Sequence, residues 1–268
     1  MAKPQVLIMS GYGINSEEES KLAFQRAGAV VEIIHVNDLI AGERKMSDYQ
    51  IFMIPGGFSY GDDTGAGNAY ANRIKHNLGE QLQKYMQQDK LVLGVCNGFQ
   101  VLVNLGLLPG FASDYTQRKI ALMANTSAHV ECRWVQIKAV SKKCMWLGGL
   151  DTLHVPIAHG EGRFTTDPDT LKQLKANQQI AFQYVTESGE LARGKFPTNP
   201  NGALDDIAGI CDERGKVLGL MPHPERSLAF YNEEGWTLKK EELLRSGQEL
   251  PTVGIGQKLF DNGVQYFQ

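Results

Sequence analysis

Leu91-Val92-Leu93-Gly94-Val95-Cys96-Asn97-Gly98-Phe99-Gln100 is the stretch that decides how this chain folds. Leu91 to Val95 is an uncharged run that reads as a strand buried on both faces. Gly94-Val95-Cys96-Asn97-Gly98 then has the small-x-nucleophile-x-small spacing of a strained turn between a strand and a helix. Glycine flanks such a turn because a Cβ there would clash. The uncharged run continues to Ser113 and is long enough to mimic a membrane span, but four glycines, Asn97, Gln100, Asn104 and Pro109 interrupt it. It reads as strand, turn and helix.

The same alternation extends upstream. Val6 to Met9 reads as a strand, and Ser16 with Glu19 three residues on is a capping-box signature for a helix that Gly28 closes. Val30 to Val36 is β-branched between turn residues, and Ile51 to Ile54 is a short buried run stopped by Pro55-Gly56-Gly57. Ile74, Leu78, Leu82 and Met86 recur every fourth residue and predict an amphipathic helix. Strands alternating with helices predict parallel βαβ units, a sheet covered on both faces and a site at the strands' C-terminal ends.

Downstream the character changes. Val130 to Val140 and Leu153 to Ile157 read as strands, and Ile207 to Cys211 pairs with Val217 to Met221 across Asp212-Glu213-Arg214-Gly215. This part is expected to be antiparallel or mixed. Asp167 before Pro168 caps a short helix through Leu171 and Leu174. Gln257 to Phe267 reads as a closing helix, while the charged segment Tyr231 to Glu249 matches no periodic template.

At 268 residues, with 42% hydrophobic and 21% charged side chains, the chain is long enough for one large core and has a globular composition. The expectation is one domain over residues 1–268, with a core of about 6–227 and a C-terminal extension, 228–268. A net charge of −3 supplies no basic excess for nucleic acid. The four cysteines form no C-x-x-C pair, so neither a structural zinc site nor a disulfide framework is indicated, and a reducing cytoplasm fits. The apolar run near the N-terminus is too short for a signal peptide, so neither export nor a membrane is expected.

Cys96 would stand at a helix N-terminus, where a thiol that is a few per cent ionised at neutral pH gains nucleophilic character. Cysteine more often packs as a small hydrophobe, but the flanking glycines and the strand-to-helix setting favour chemistry. Met221-Pro222-His223-Pro224-Glu225-Arg226 offers a base and its orienter. Pro224 favours an extended His223, and side chains two apart then face one way, so His223 and Glu225 converge. A carboxylate on one imidazole nitrogen fixes the tautomer and leaves the other for the thiol. The Gly57 and Asn97 amides are candidates for an oxyanion hole. Gly65-Ala66-Gly67 and Gly160-Glu161-Gly162 lack the endings of phosphate loops, so no nucleotide site is read here. His159 in His159-Gly160-Glu161-Gly162 is read as part of a backbone lining a substrate pocket.

Pro55-Gly56-Gly57, Gly94-x-Cys96-x-Gly98-x-Gln100 and His223-x-Glu225, in this order, closely resemble the class I, or triad, glutamine amidotransferases. The strings Gly56 to Asp62, Gly94 to Gln100, His159 to Gly162 and Gly219 to Arg226 are similar to the branch of that family serving purine synthesis. The resemblance covers Val6 to about Ser227. It implies a flavodoxin-like α/β fold with a parallel or mixed sheet. It also implies hydrolysis of glutamine by a Cys96-His223-Glu225 triad, with Gln100 and the backbone near Gly57 and Gly160 holding the substrate. The ammonia would pass to a large synthetase subunit, with a small accessory subunit, that aminates formylglycinamide ribonucleotide. This chain would bind no metal or cofactor, and ATP and magnesium would belong to the synthetase. One departure is Asn15-Ser16-Glu17, where the family often has Asn-Cys-Asp. The rival expectations are a glutaminase serving another synthetase and a non-catalytic binding module on the same fold.

Overall fold

The computed structural model describes residues 2–61 and 65–268, so Asp62 of the Gly56 to Asp62 string lies outside the described residues. In chain order the strands and helices are β1 (Gln5–Ser10), α1 (Glu17–Arg26), β2 (Val30–His35), α2 (Val36–Ile40), β3 (Ile51–Ile54), α3 (Asn68–Met86), β4 (Leu91–Val95) and α4 (Asn97–Leu105). There follow β5 (Ile120–Ala124), β6 (Glu131–Ala139), β7 (Thr152–His159), β8 (Glu161–Thr166), α5 (Pro168–Ala176), β9 (Ile180–Val185), β10 (Ile207–Cys211), β11 (Val217–Leu220), α6 (Trp236–Arg245) and α7 (Gln257–Gln265).

Among the described residues the main sheet has nine strands in the order β2-β1-β3-β4-β11-β10-β9-β6-β7. Its first five are parallel neighbours, and β10, β9, β6 and β7 then pair antiparallel. The expected change from parallel to antiparallel therefore occurs inside one sheet, at the β10–β11 hairpin, where Cys211 faces Leu218. β5 and β8 form a separate antiparallel pair beside the strand ends. α1 packs with α7 and α3 with α4. Because β1 to β2 and β3 to β4 step across the sheet in opposite directions, right-handed crossovers put these two helix pairs on opposite faces.

β3 and β4 are buried at every position, as strands covered on both faces must be. Asp167 caps α5 as expected, accepting from the Asp169 and Thr170 amides at 3.0 and 2.9 Å.

Two expectations are corrected. Ser16 does occupy the N-cap of α1, but its side chain makes no capping bond; its hydroxyl donates to Asn15 and accepts from Arg226. The core does not stop at 227, because Leu259, Phe260 and Val264 of α7 are fully buried in it. The Phe260 ring lies 5.1 Å from that of Phe24, edge to face. The extension therefore contains an outer part, with α6, and an inner part, α7. α6 buries none of its residues; its Lys239 pairs with Glu233 just before the helix, and the adjacent Glu234 lies 3.2 Å from His154 Nε2 on β7. Without an apolar stripe there was no period to read.

Candidate active site

Cys96 lies between β4 and α4 with φ 51° and ψ −109°, a left-handed backbone that costs energy for any residue with a Cβ. Packing holds it there. A Cβ on Gly98 would stand 1.8 Å from the Ile54 carbonyl oxygen, so only glycine lets α4 approach β3 this closely. The Cys96 amide donates to the Leu220 carbonyl at 2.8 Å, continuing the β4–β11 register in which Val95 faces Leu220. Two parallel neighbours thus deliver Cys96 and the segment to His223 to the same end of the sheet.

His223 follows β11 and is anchored by its amide to the Pro156 carbonyl on β7, at 2.8 Å. Its Nδ1 is 2.5 Å from Oε1 of Glu225, and both side chains are buried. The two converge as expected but by a different route. Pro224–Arg226 forms a 3-10 turn that curls Glu225 back to the ring, whereas an extended chain was anticipated. Burial alone would push the His223 imidazolium down. The Glu225 charge and then that of Cys96 outweigh it and raise the pKa from 6.5 to about 10. His223 Nε2 has no hydrogen-bond partner among the described residues. Cys96 Sγ is 3.9 Å from the Ala158 carbonyl oxygen at the end of β7.

The Pro55-Gly56-Gly57 turn is pressed against this pair. A Cβ on Gly56 would lie 2.8 Å from His223 Cε1. The Asn15 and Ser16 amides both donate to the Gly56 carbonyl, at 3.1 and 3.3 Å, and Phe58 donates to Gly13 at 2.7 Å. Among the described residues the Gly57 N–H makes no such bond. The Asn97 N–H, first in α4, has no carbonyl four residues back to reach.

Gln100 and Asn97 form a relay. The Ser59 amide donates to Asn97 Oδ1 (3.2 Å), Asn97 Nδ2 donates to Gln100 Oε1 (2.9 Å), and Gln100 Nε2 donates to the Glu161 carbonyl (2.5 Å). Both ends of the Gln100 amide are therefore engaged, while its side chain also lines a cleft of about 300 Å³ with Ala66, Asn104, Arg118 and Glu161. Gly160 stands at the β7–β8 turn, its carbonyl accepting from the Asn125 amide at 2.8 Å.

Several neighbours were assigned no role from the sequence. Arg226 donates to the Ser16 hydroxyl at 3.2 Å and sits 3.9 Å from Glu19, tying the His223 turn to α1. Tyr184 on β9 is close enough for the Cys96 charge, added to burial, to hold its phenol up despite a bond from Asn201. Asn125 clamps the β7–β8 turn from the end of β5. Arg226 closes the His223 string, but Asn125 and Tyr184 lie in no patterned string; the strand ends bring those two to the site. Cys132, Cys144 and Cys211 are free thiols, as is Cys96.

The chain matches the model of the CobB/CobQ-like glutamine amidotransferase domain over residues 3–267. It belongs to this glutamine amidotransferase family. A relative from Methanococcus maripaludis, phosphoribosylformylglycinamidine synthase subunit PurQ, is 54% identical over 98% of this chain and 97% of its own length. The PurQ subunit of Dehalococcoides mccartyi is 38% identical over 99% of this chain and 98% of its own. The solved PurLQS structure from Thermotoga maritima superposes with a TM-score of 0.70 and 27% identity, over 100% of both chains. The amidotransferase fold extends to a GMP synthase homologue from Thermoplasma acidophilum, at TM-score 0.52, 13% identity and coverage of 99% and 94%. Among the described residues of this glutamine amidotransferase, no helix is long and apolar enough to cross a membrane.

Proposed function

We propose that this chain is the glutaminase subunit of a phosphoribosylformylglycinamidine synthase, hydrolysing glutamine and handing ammonia to a synthetase subunit in purine synthesis. The observation that carries the chemistry is the buried His223–Glu225 pair, at 2.5 Å, beside a cysteine strained at the head of a helix. The acceptor rests on the 54% identity to a PurQ subunit over nearly the whole length of both proteins.

On this reading the Cys96 thiolate attacks the carboxamide carbon of glutamine and the carbonyl electrons move to oxygen, which the Gly57 and Asn97 N–H groups receive. As the tetrahedral intermediate collapses, the C–N bond breaks and the His223 Nε2 proton goes to nitrogen, so ammonia departs. Glu225 keeps the other ring nitrogen protonated and steadies the imidazolium. A water molecule, losing its proton to His223, then attacks the thioester; the S–C bond breaks and glutamate leaves. The substrate lies against the backbone at Gly57 and Gly160 and the cleft beside Gln100. ATP and magnesium fall to the synthetase, in keeping with the lack of a phosphate-loop sequence here, and an accessory subunit completes the assembly. Residues 1–268 act as one cytoplasmic domain.

A strain lacking its own glutaminase subunit, given this chain with its cognate synthetase subunits, is expected to grow without purine on glutamine as nitrogen donor. Growth that returns with excess ammonium and never with glutamine would contradict the assignment.

A further inference from the structure

His159 is a buried group that the triad does not use. It is 2% exposed at the end of β7, directly after Ala158, whose carbonyl touches Cys96 Sγ. Its Nδ1 is 3.2 Å from Asn125 Oδ1. The orientation of that amide is fixed by its other partners. Asn125 Nδ2 faces two carbonyls, those of His129 and His159, at 2.9 and 2.7 Å, and Oδ1 also receives the Gly162 N–H at 3.2 Å. Turning the amide over would set oxygen against two carbonyls and NH2 against an N–H. Asn125 Oδ1 is therefore an acceptor and His159 Nδ1 carries the hydrogen.

The ring is neutral. Burial, and then the positive charge of nearby His223, push its pKa down to about 3. Nε2 is consequently a bare lone pair, and it is buried with no partner among the described residues. An unmet acceptor inside a protein costs on the order of 1–3 kcal/mol, so a buried orphan beside reacting groups is explained when a donor arrives with the ligand. The reaction supplies such donors. A carboxamide carries two N–H groups and ammonia three, while the proposed oxyanion hole serves oxygen only and His223 acts on nitrogen as a donor.

We infer that His159 is a specificity-determining residue whose Nε2 accepts an N–H of the nitrogen being released, so that the site prefers an amide to an ester or an acid. The inference rests on the glutaminase reading above. The acceptor selects for the N–H, holds the amide nitrogen in line with the His223 proton, and has nothing to bind in a γ-glutamyl ester. Asn125 acts through it as a positioning residue, keeping the hydrogen on Nδ1.

The test compares two substrates in the assembled complex, glutamine and γ-glutamyl methyl ester, by release of glutamate. His159→Phe keeps a flat ring and removes both nitrogens, whereas His159→Gln keeps an acceptor near the Nε2 position. In His159→Phe, kcat/KM for glutamine is expected to fall by about tenfold or more while the ester changes by less than about threefold. His159→Gln should restore much of the discrimination. Equal losses on both substrates would show a purely structural role and overturn the inference, as would an unchanged ratio. Should the unaltered complex hydrolyse neither substrate, the glutaminase reading itself would fail, a result distinct from either of these. Should His159→Phe not fold, the ester-to-glutamine ratio of His159→Gln and of Asn125→Ala, which releases the tautomer, decides: both ratios unchanged would overturn it.

Discussion

Cys96→Ala is expected to lower glutamine hydrolysis by the assembled complex about 10⁴-fold or more, to the level left by binding and the oxyanion hole alone. That is about 5 kcal/mol of transition-state stabilisation at roughly 1.4 kcal/mol per factor of ten. The substitution removes a single sulfur, and with it the 3.9 Å contact to the Ala158 carbonyl oxygen, while alanine keeps the Cβ that the backbone at φ 51° already accommodates, so the fold is expected to persist. The control is built into the chemistry. Supplying free ammonia bypasses the glutaminase, so amination of the acceptor by the synthetase should continue at the unaltered rate in the same variant. Turnover from glutamine that survives the substitution would remove Cys96 from the mechanism.

Glu225→Gln has the next largest effect. The carboxylate accepts a short hydrogen bond from a fully buried ring, and an amide in its place leaves the imidazolium without its counter-charge and permits the wrong tautomer. A loss of about 10³ to 10⁴ in kcat is expected, with KM for glutamine changed far less. The pair also has a signature in stability. His223 is raised from 6.5 in the unfolded chain to about 10 when folded, so the folded state binds the extra proton. Its contribution is complete below pH 6.5 and is lost as pH climbs through about 10. His159, held down at about 3, acts in the opposite sense and only below pH 6.5, leaving the alkaline window clear. Denaturant midpoints measured from pH 6 to 10 should therefore fall more steeply for the unaltered chain than for Glu225→Gln. Parallel curves would mean that Glu225 does not set the proton on His223.

Both variants act on residues legible from spacing alone, and the reason is local. Gly94 and Gly98 must be glycine because a Cβ on Gly94 would stand 2.7 Å from the Gly98 carbonyl oxygen and one on Gly98 1.8 Å from that of Ile54, and the chemistry requires a thiol between them. The parallel half of the sheet was equally readable, since β1, β3 and β4 are short apolar runs ended by turn residues. What escaped was non-local. β9 and the β5–β8 pair are defined by partners far along the chain, and Asn125 and Tyr184 reach the site only because strands remote in sequence end together, while Arg226, inside the His223 string, gave no sign of its partners Ser16 and Glu19 on α1. The capping box failed for a related reason: Arg226, distant in sequence, competes for the Ser16 hydroxyl. The His223–Glu225 convergence was found, but through a 3-10 turn set by Pro224.

The central claim is that Cys96 is the nucleophile within a triad completed by His223 and Glu225. A glutamine analogue with an electrophilic carbon in place of the carboxamide tests it most directly, with the modified residue located by peptide mass spectrometry. The expected result is one adduct per chain, on the peptide containing Cys96, slowed by Glu225→Gln and blocked by excess glutamine. The exposed thiol of Cys132 should remain unmodified, although it is the most accessible of the four. An adduct on Cys132 or on any residue other than Cys96, with glutaminase activity lost in proportion, would contradict the account.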